Sequence, residues 1–242
     1  MTIKGIAHRG YPTVHPENTL SSFQAALDAH YSHLELDVHL SKDGIPVVIH
    51  DATINRMCNG KGRVKDYTLE ELKRFTVGEQ ETIPTLEEAL RLCQGRISVF
   101  LELKQIGQAY EGIEEKALDV IRRLNVTDQI IVTSFDHYSL MKMRELDQGI
   151  DIGLILGCLS PCVFPFMKQL RSRYLWMSHK HLTKAYVQEC VEQGIQVIAN
   201  PIDTEEVMNK LLQQYPSALA STNMLEQWQR FYEQNREALG QP

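Results

Sequence analysis

Residues 34–51 read LELDVHLSKDGIPVVIHD, and the architecture of the whole chain follows from how this stretch folds. Leu34, Leu36 and Val38 alternate with Glu35, Asp37 and His39, the two-residue period of a strand whose successive side chains point to opposite faces. Glu35 and Asp37 therefore share a face. Two carboxylates held side by side repel each other and resist desolvation, so a strand keeps them there when a cation or a set of donors fills the space between; a divalent metal is the simplest filler. Ser41-Lys42-Asp43-Gly44 then reads as a turn with Asp-Gly at its tip, followed by the β-branched run from Ile45 to Ile49 that ends in His50-Asp51. A parallel return needs a crossover of about a dozen residues or more. This turn is too short for one, so the second arm is predicted to run back antiparallel and to bring His50 towards Glu35 and Asp37.

Upstream, Ile3 to Ala7 is a short apolar strand ending on His8-Arg9-Gly10, and TLSSFQAALDAH repeats Leu20, Phe23, Ala26 and Leu27 at helical spacing, with Asn18 or Thr19 as the cap. Residues 52–83 are too long for a plain connection and are predicted to form a small insertion over one end of the fold. From Pro84 onward helical and strand patterns alternate: TLEEALRLC then ISVFLELK, Glu111 to Leu124 then QIIVTSF, His137 to Leu146 then IDIGLIL. Phe164 to Leu170 precedes RYLWMSHK, Thr183 to Gln193 precedes IQVIAN, Glu205 to Gln213 precedes SALAST, and a polar helix around Leu225 to Ala238 closes the chain. With the return arm of the hairpin set aside, strands begin near residues 3, 34, 97, 129, 150, 174, 195 and 217. Eight strands alternating with helices predict an α/β fold, a (β/α)8 TIM barrel forming one domain over residues 1–242 with the small insertion after the second strand.

The 242 residues are 43% hydrophobic and 23% charged, the composition of a globular protein able to bury a large core. A formal net charge of −6 offers no general attraction to nucleic acid or to an anionic membrane, so an anionic substrate must be met by a local cationic cluster. The N-terminus shows no charged leader or apolar signal segment, and no apolar run is long enough to span a bilayer; a cytoplasmic location without a stable membrane anchor is expected. Five cysteines without CxxC spacing fit a reducing compartment and are read as buried free thiols.

Working groups of such barrels sit at the C-terminal strand ends, and polar residues gather there: His8 and Arg9, Glu35 and Asp37, Glu102 and Lys104, Ser134 and Phe135, His179 and Lys180. Glu35, Asp37 and Glu102 form an all-oxygen set suited to a hard cation, Mg2+ or Ca2+. The alternative is that they pair with Arg9 and Lys104 as a structural charge network. His8 and His50 flank the acids and have ring pKa values near the working pH, as an acid/base pair requires. Arg9 and Lys104 would neutralise phosphoryl oxygens. His15, His30, His33, His39 and His137 are read as ordinary residues of loops, helices or the outward face of a strand.

These residues resemble those of the glycerophosphodiester phosphodiesterase family, phospholipase-C-like phosphodiesterases built on a TIM barrel. The likeness lies in HRGYPTVHPENTLSSF (residues 8–23), in LELDVHLSKDGIPVVIHD and in FLELK (residues 100–104), with weaker agreement in PTLEEAL, TSF and SHK. It implies hydrolysis of a small-molecule glycerophosphodiester to sn-glycerol 3-phosphate and an alcohol, with no nucleic-acid partner. It further implies that His8 and His50 are catalytic, that Glu35, Asp37 and Glu102 bind the metal, and that Arg9, Lys104, Glu17, Asn18 and Phe135 meet substrate. Two departures stand near the C-terminus. Asn200 lies in IANPID where the family has a Trp-Thr-Val-Asn run, and Ser221-Thr222-Asn223-Met224 stands where it closes with Thr-Asp-x-Pro; both would face the glycerol side of the pocket. Two further readings are a non-catalytic binder of phosphate esters on the same scaffold and an enzyme acting on lysophospholipids.

Overall fold

The computed structural model describes residues 2–239. Its first strand, β1 (Ile3–His8), leads through a loop into α1 (Leu20–Asp28), whose start is set by Thr19: the side-chain oxygen accepts from the Ser22 N–H and satisfies one of the first-turn donors. Next come β2 (Tyr31–Leu40) and, beyond the Asp43-Gly44 turn, β3 (Pro46–Val48), which pairs antiparallel with β2 through Val38↔Val48 and Leu40↔Pro46. The hairpin thus forms as the turn length requires.

Residues 52–83 leave the barrel and hold a 3-10 turn, the one-turn helix α2 (Leu69–Leu72) and a two-stranded ribbon of β4 (Thr76–Val77) and β5 (Glu81–Thr82). Ile54, Val64, Leu72, Val77 and Ile83 pack with Val47 and Ile49 in an apolar cluster of their own, which fixes this excursion over the end of the barrel. The chain then alternates: α3 (Leu86–Cys93), β6 (Ser98–Leu103), α4 (Ile113–Arg123), β7 (Ile130–Ser134), α5 (His137–Leu146) and β8 (Asp151–Leu156). There follow α6 (Val163–Leu170), β9 (Tyr174–Ser178), α7 (Lys184–Glu192), β10 (Gln196–Asn200), α8 (Glu205–Gln214), β11 (Leu219–Thr222) and α9 (Leu225–Asn235). Thr85, Asp136, Thr183 and Thr204 cap their helices as Thr19 does, so these five helices begin where the sequence supplies an oxygen for the orphan N–H groups.

Eight parallel strands close on themselves in the order β1-β11-β10-β9-β8-β7-β6-β2, with β2 returning to β1. This is the (β/α)8 barrel that the alternation predicts. Ile6, Phe100, Ile131, Ile155, Trp176, Ile198 and Leu219, one from each of seven strands, fill its axis, with Phe100 edge-on to Trp176 at 5.5 Å between ring centres. The interior is therefore a dry plug. Above it the registers His8↔Glu35, Asp37↔Glu102 and Glu102↔Thr133 bring polar residues of four adjacent strands to one level, directly over a low-dielectric floor.

Two expectations are corrected here. Cys93 and Cys190 are buried, whereas Cys158 and Cys162 are exposed, because they lie in the turn ahead of α6 and not on a packed face; all five thiols are free. His39 does not face outward: it has the same parity as Glu35 and Asp37 and is 2% exposed inside the barrel mouth.

Candidate active site

The backbone at the end of β1 is unusual. Arg9 sits at φ 61, a left-handed conformation that costs a residue with a Cβ roughly 1–2 kcal/mol. The turn aims the Arg9 N–H at Glu35 Oε2, 2.9 Å away. Gly10 follows at φ 86, where a Cβ would collide with the Ser22 backbone 2.7 Å away, so only glycine lets the loop lie against α1.

Glu35, Asp37 and Glu102 each place a carboxylate oxygen within 4.8 Å of the other two. Glu35 is 2% exposed and Asp37 is fully buried. Asn18, itself at φ 58, donates from Nδ2 to Asp37 Oδ2 at 2.8 Å and accepts the Asp37 N–H on Oδ1, so both ends of its amide are spent on orienting that carboxylate. Lys104 reaches Asp37 Oδ1 at 3.1 Å and Glu102 Oε1 at 2.8 Å, and Arg9 Nε lies 3.6 Å from Asp37 Oδ2. The two cations do not complete the site. Glu35 Oε1 and Arg9 Nε are buried with no hydrogen-bond partner, as is Thr133 Oγ1 one strand away. A self-contained charge network would leave no such orphans. Asp37 Oδ1, which faces Lys104, is likewise without a hydrogen-bond partner; a cluster of three carboxylates with two such buried oxygens fits a hard divalent cation, and these three residues could hold one.

The electrostatics follow from burial. Desolvation and the charge of Asp37 push the Glu102 carboxyl up to about 7, and the same two causes raise Glu35 well above the usual carboxylate range. Asp37 goes the other way: burial disfavours its charge, but Lys104 and Arg9 outweigh that and hold it low.

The two histidines are carried by different elements, His8 by β1 and His50 by the segment after β3. His8 Nδ1 lies 3.0 Å from Asn223 Oδ1, its Nε2 is 3.9 Å from Glu35 Oε2, and burial together with the Arg9 charge lowers the ring to about 4. His50 is carried in by the hairpin, where the Ile49 N–H donates to the Asp37 carbonyl at 3.0 Å. Its Nδ1 lies 2.7 Å from Asp51 Oδ1; a carboxylate accepts, so Nδ1 carries the proton and Nε2 is left free. Burial and the nearby Lys104 lower the ring against the opposing pull of Asp37 and Asp51.

Several supporting residues escaped the sequence reading. His39 Nε2 donates to the His50 carbonyl at 3.0 Å while its Nδ1 meets the Tyr110 hydroxyl at 2.7 Å, which clamps the backbone that carries His50. Arg56, from the excursion, donates from Nε to Asp51 Oδ2 at 2.7 Å and from Nη2 to Glu17 Oε1 at 2.7 Å. Glu17 also accepts from Arg9 Nη1 at 3.0 Å, so one carboxylate links the loop after β1 to the insertion. Glu17 is thus brought beside Arg9. Asn200 does not reach the carboxylates by any hydrogen bond among the described residues; its Oδ1 accepts from Ser221 Oγ at 2.9 Å. Phe135 stands at the end of β7, 58% exposed, and with Ile106, Ala109, Tyr110 and Leu103 it lines a cavity of about 610 Å³ that also touches His50, Glu102 and Lys104.

Known proteins resemble this chain in sequence and in fold. The family model described as "Glycerophosphoryl diester phosphodiesterase family" matches residues 8–224. A glycerophosphodiester phosphodiesterase of Caldanaerobacter subterraneus subsp. tengcongensis is 36% identical over 217 residues, 86% of this chain and 88% of its own. Glycerophosphodiester phosphodiesterase 1 of Bos taurus is 29% identical over 93% of this chain and 79% of its own. Among solved structures, an Oleispira antarctica phosphodiesterase in complex with its product sn-glycerol 3-phosphate superposes with a TM-score of 0.88 at 29% identity, covering 94% of this chain and 96% of that one. The chain is therefore a phosphoric diester hydrolase. More narrowly, it belongs to the glycerophosphoryl diester phosphodiesterase family. No helix among the described residues is long and apolar enough to cross a membrane.

Proposed function

We propose that the protein hydrolyses glycerophosphodiesters to sn-glycerol 3-phosphate and an alcohol, with Mg2+ or Ca2+ held by Glu35, Asp37 and Glu102 and with His8 and His50 as the acid/base pair. The observation that carries this reading is the convergence of three carboxylates, two imidazoles and two cationic side chains at one mouth, with Glu35 Oε1 and Arg9 Nε unpartnered. When bound, the divalent cation would supply positive charge against the non-bridging phosphoryl oxygens. Arg9 and Lys104 add to it from fixed positions, where preorganised charge acts most strongly on a transition state. Both rings are held low by burial, so each is neutral near pH 7 and able to accept a proton. One imidazole takes the proton of the attacking oxygen, and the other, once it has picked up a proton from solvent, gives it to the departing alkoxide; the first ring then returns its proton to solvent. The assay is hydrolysis of glycerophosphocholine and of bis(p-nitrophenyl) phosphate with and without EDTA. Turnover that EDTA abolishes supports the proposal, and turnover indifferent to EDTA removes the metal from it.

Proton competition gives a second test. In cation-free protein Glu102 is raised to about 7 and Glu35 is raised as well, so their contribution to stability is full below the ordinary carboxylate range and is lost as pH rises through about 7. A cation offsets that loss, while at low pH it must displace protons to bind. The gain in Tm at a fixed saturating Mg2+ or Ca2+ concentration is therefore expected to grow from pH 5 to pH 8. His8 and His39, both lowered to about 4 in the folded protein, cost stability as pH falls below their unfolded value with and without cation alike, so the gain in Tm is free of that contribution. An equal gain at every pH, read by scanning fluorimetry, would contradict the carboxylate site.

The cavity beside Phe135 favours a second substrate class, lysophospholipids. Phe135 and Ile106 are 58% and 81% exposed on its apolar wall, and an acyl chain carried on the substrate's glycerol would cover them. On this reading Phe135→Ser lowers kcat/KM on a lysophospholipid by about tenfold, the equivalent of roughly 50 Å² of apolar contact, and leaves glycerophosphocholine unchanged. Equal effects on both substrates would remove the acyl chain from this wall.

A further inference from the structure

At the β10 and β11 ends of the barrel lies a group of polar side chains that the proposed chemistry does not use. Asp203 follows β10, and its Oδ1 accepts from the Thr222 hydroxyl at 3.0 Å and from the Asn223 N–H at 2.8 Å. Its Oδ2 lies 2.7 Å from Asn223 Nδ2. The Asn223 Oδ1 in turn lies 3.0 Å from His8 Nδ1. Trp176 packs against the His8 ring, 6.4 Å between centres, and its tilted face limits rotation of the imidazole.

The polarity of this chain is fixed by chemistry. A carboxylate only accepts, so the end of the Asn223 amide facing Asp203 is the NH2 group and the end facing His8 is the carbonyl oxygen. A carbonyl oxygen also only accepts, so His8 Nδ1 must bear the proton. In a neutral ring Nε2 then has a lone pair. That atom is 3.9 Å from Glu35 Oε2, too far for a hydrogen bond and within the mouth of the carboxylate cluster.

We infer that Asp203 is a positioning residue for His8: through Asn223 it selects the tautomer protonated on Nδ1 and so presents an unprotonated Nε2 to the substrate side. The consequence for turnover rests on the acid/base reading of His8, whereas the tautomer itself does not. Without a carboxylate at position 203 the Asn223 amide loses the partner that orients it. Either end of the amide can then face the ring, and with the NH2 end turned inward the proton moves to Nε2, the wrong nitrogen for a base.

The test is a multiple-bond 1H–15N correlation spectrum of the histidine rings in the folded protein at pH 7.5, with the His8 signals identified by their loss in His8→Gln. Wild-type protein is expected to show a protonated Nδ1 and a pyridine-type Nε2. Asp203→Asn is expected to reverse or average that pattern and to lower kcat about 10- to 100-fold with KM nearly unchanged. Asp203→Glu, which keeps the acceptor-only carboxylate, should recover part of the loss. A wild-type ring protonated on Nε2 alone, or on both nitrogens, overturns the inference, as does a folded Asp203→Asn whose ring pattern is unchanged. If Asp203→Asn does not fold, Asn223→Ala, which removes the whole amide between Asp203 and His8, must show the same loss of the Nδ1-protonated pattern for the inference to stand. A wild-type ring with the inferred tautomer in a protein whose His8→Gln variant keeps full activity supports the inference and instead removes His8 from the acid/base pair.

Discussion

His50→Ala is expected to lower kcat on glycerophosphocholine by about 10²–10⁴-fold while KM moves far less. The size of the effect follows from how much structure serves this one ring. The hairpin places it, His39 holds its carbonyl, Asp51 holds its Nδ1, and Arg56 holds Asp51 while also gripping Glu17. With Nδ1 taken by Asp51, Nε2 is the ring atom with no hydrogen-bond partner among the described residues, as the proposed proton-carrier role requires. The His50 side chain is itself 30% exposed, so its removal opens no sealed cavity and the variant should fold with a Tm near that of the wild type. A folded variant within threefold of wild-type kcat would rule out His50 as acid or base. His8→Ala and the double variant complete the experiment. If the two rings act in one proton-transfer sequence, the double variant loses little more than either single one.

Asp37→Asn is the second large effect. The substitution keeps the shape that Asn18 grips, yet it removes the charge that Lys104 and Arg9 face and one of three oxygens available to a cation. Loss of a ligand should cost at least about 100-fold in divalent-cation affinity, since even the residues that only orient ligands commonly cost 10–100-fold. Activity at a low cation concentration should fall in proportion and recover in part as the concentration is raised. An unaltered cation requirement in the folded variant would place the ion elsewhere.

Much of this arrangement was legible in the chain. The barrel could be read because its strands alternate with period two and because threonine or aspartate marks helix starts at Thr19, Thr85, Asp136, Thr183 and Thr204. Glu35 and Asp37 could be read as neighbours from parity alone, and the short Asp43-Gly44 turn was enough to send His50 back to them. The same parity puts His39 inside the mouth, but its clamp on the His50 carbonyl depends on where the hairpin returns. Asp51 and Arg56 meet in an irregular loop, where no period reports which side chains face each other. Asp203 and Asn223 are twenty residues apart and touch because β10 and β11 run in register at Ala199↔Ala220, a pairing no local pattern announces. The Asn18 role was half legible: asparagine tolerates the left-handed backbone that a loop before a helix needs, but its grip on Asp37 depends on the fold.

Glu35, Asp37 and Glu102 are proposed to hold one divalent cation, and calorimetric titration tests this without any assay of turnover. Mg2+ or Ca2+ added to chelator-stripped protein at pH 7.5 should bind saturably at a single site per chain, with protons released as the raised carboxyls of Glu35 and Glu102 give up theirs. Asp37→Asn should weaken that binding sharply. Binding of equal strength in the folded variant, or no saturable binding to the wild-type protein, would contradict it.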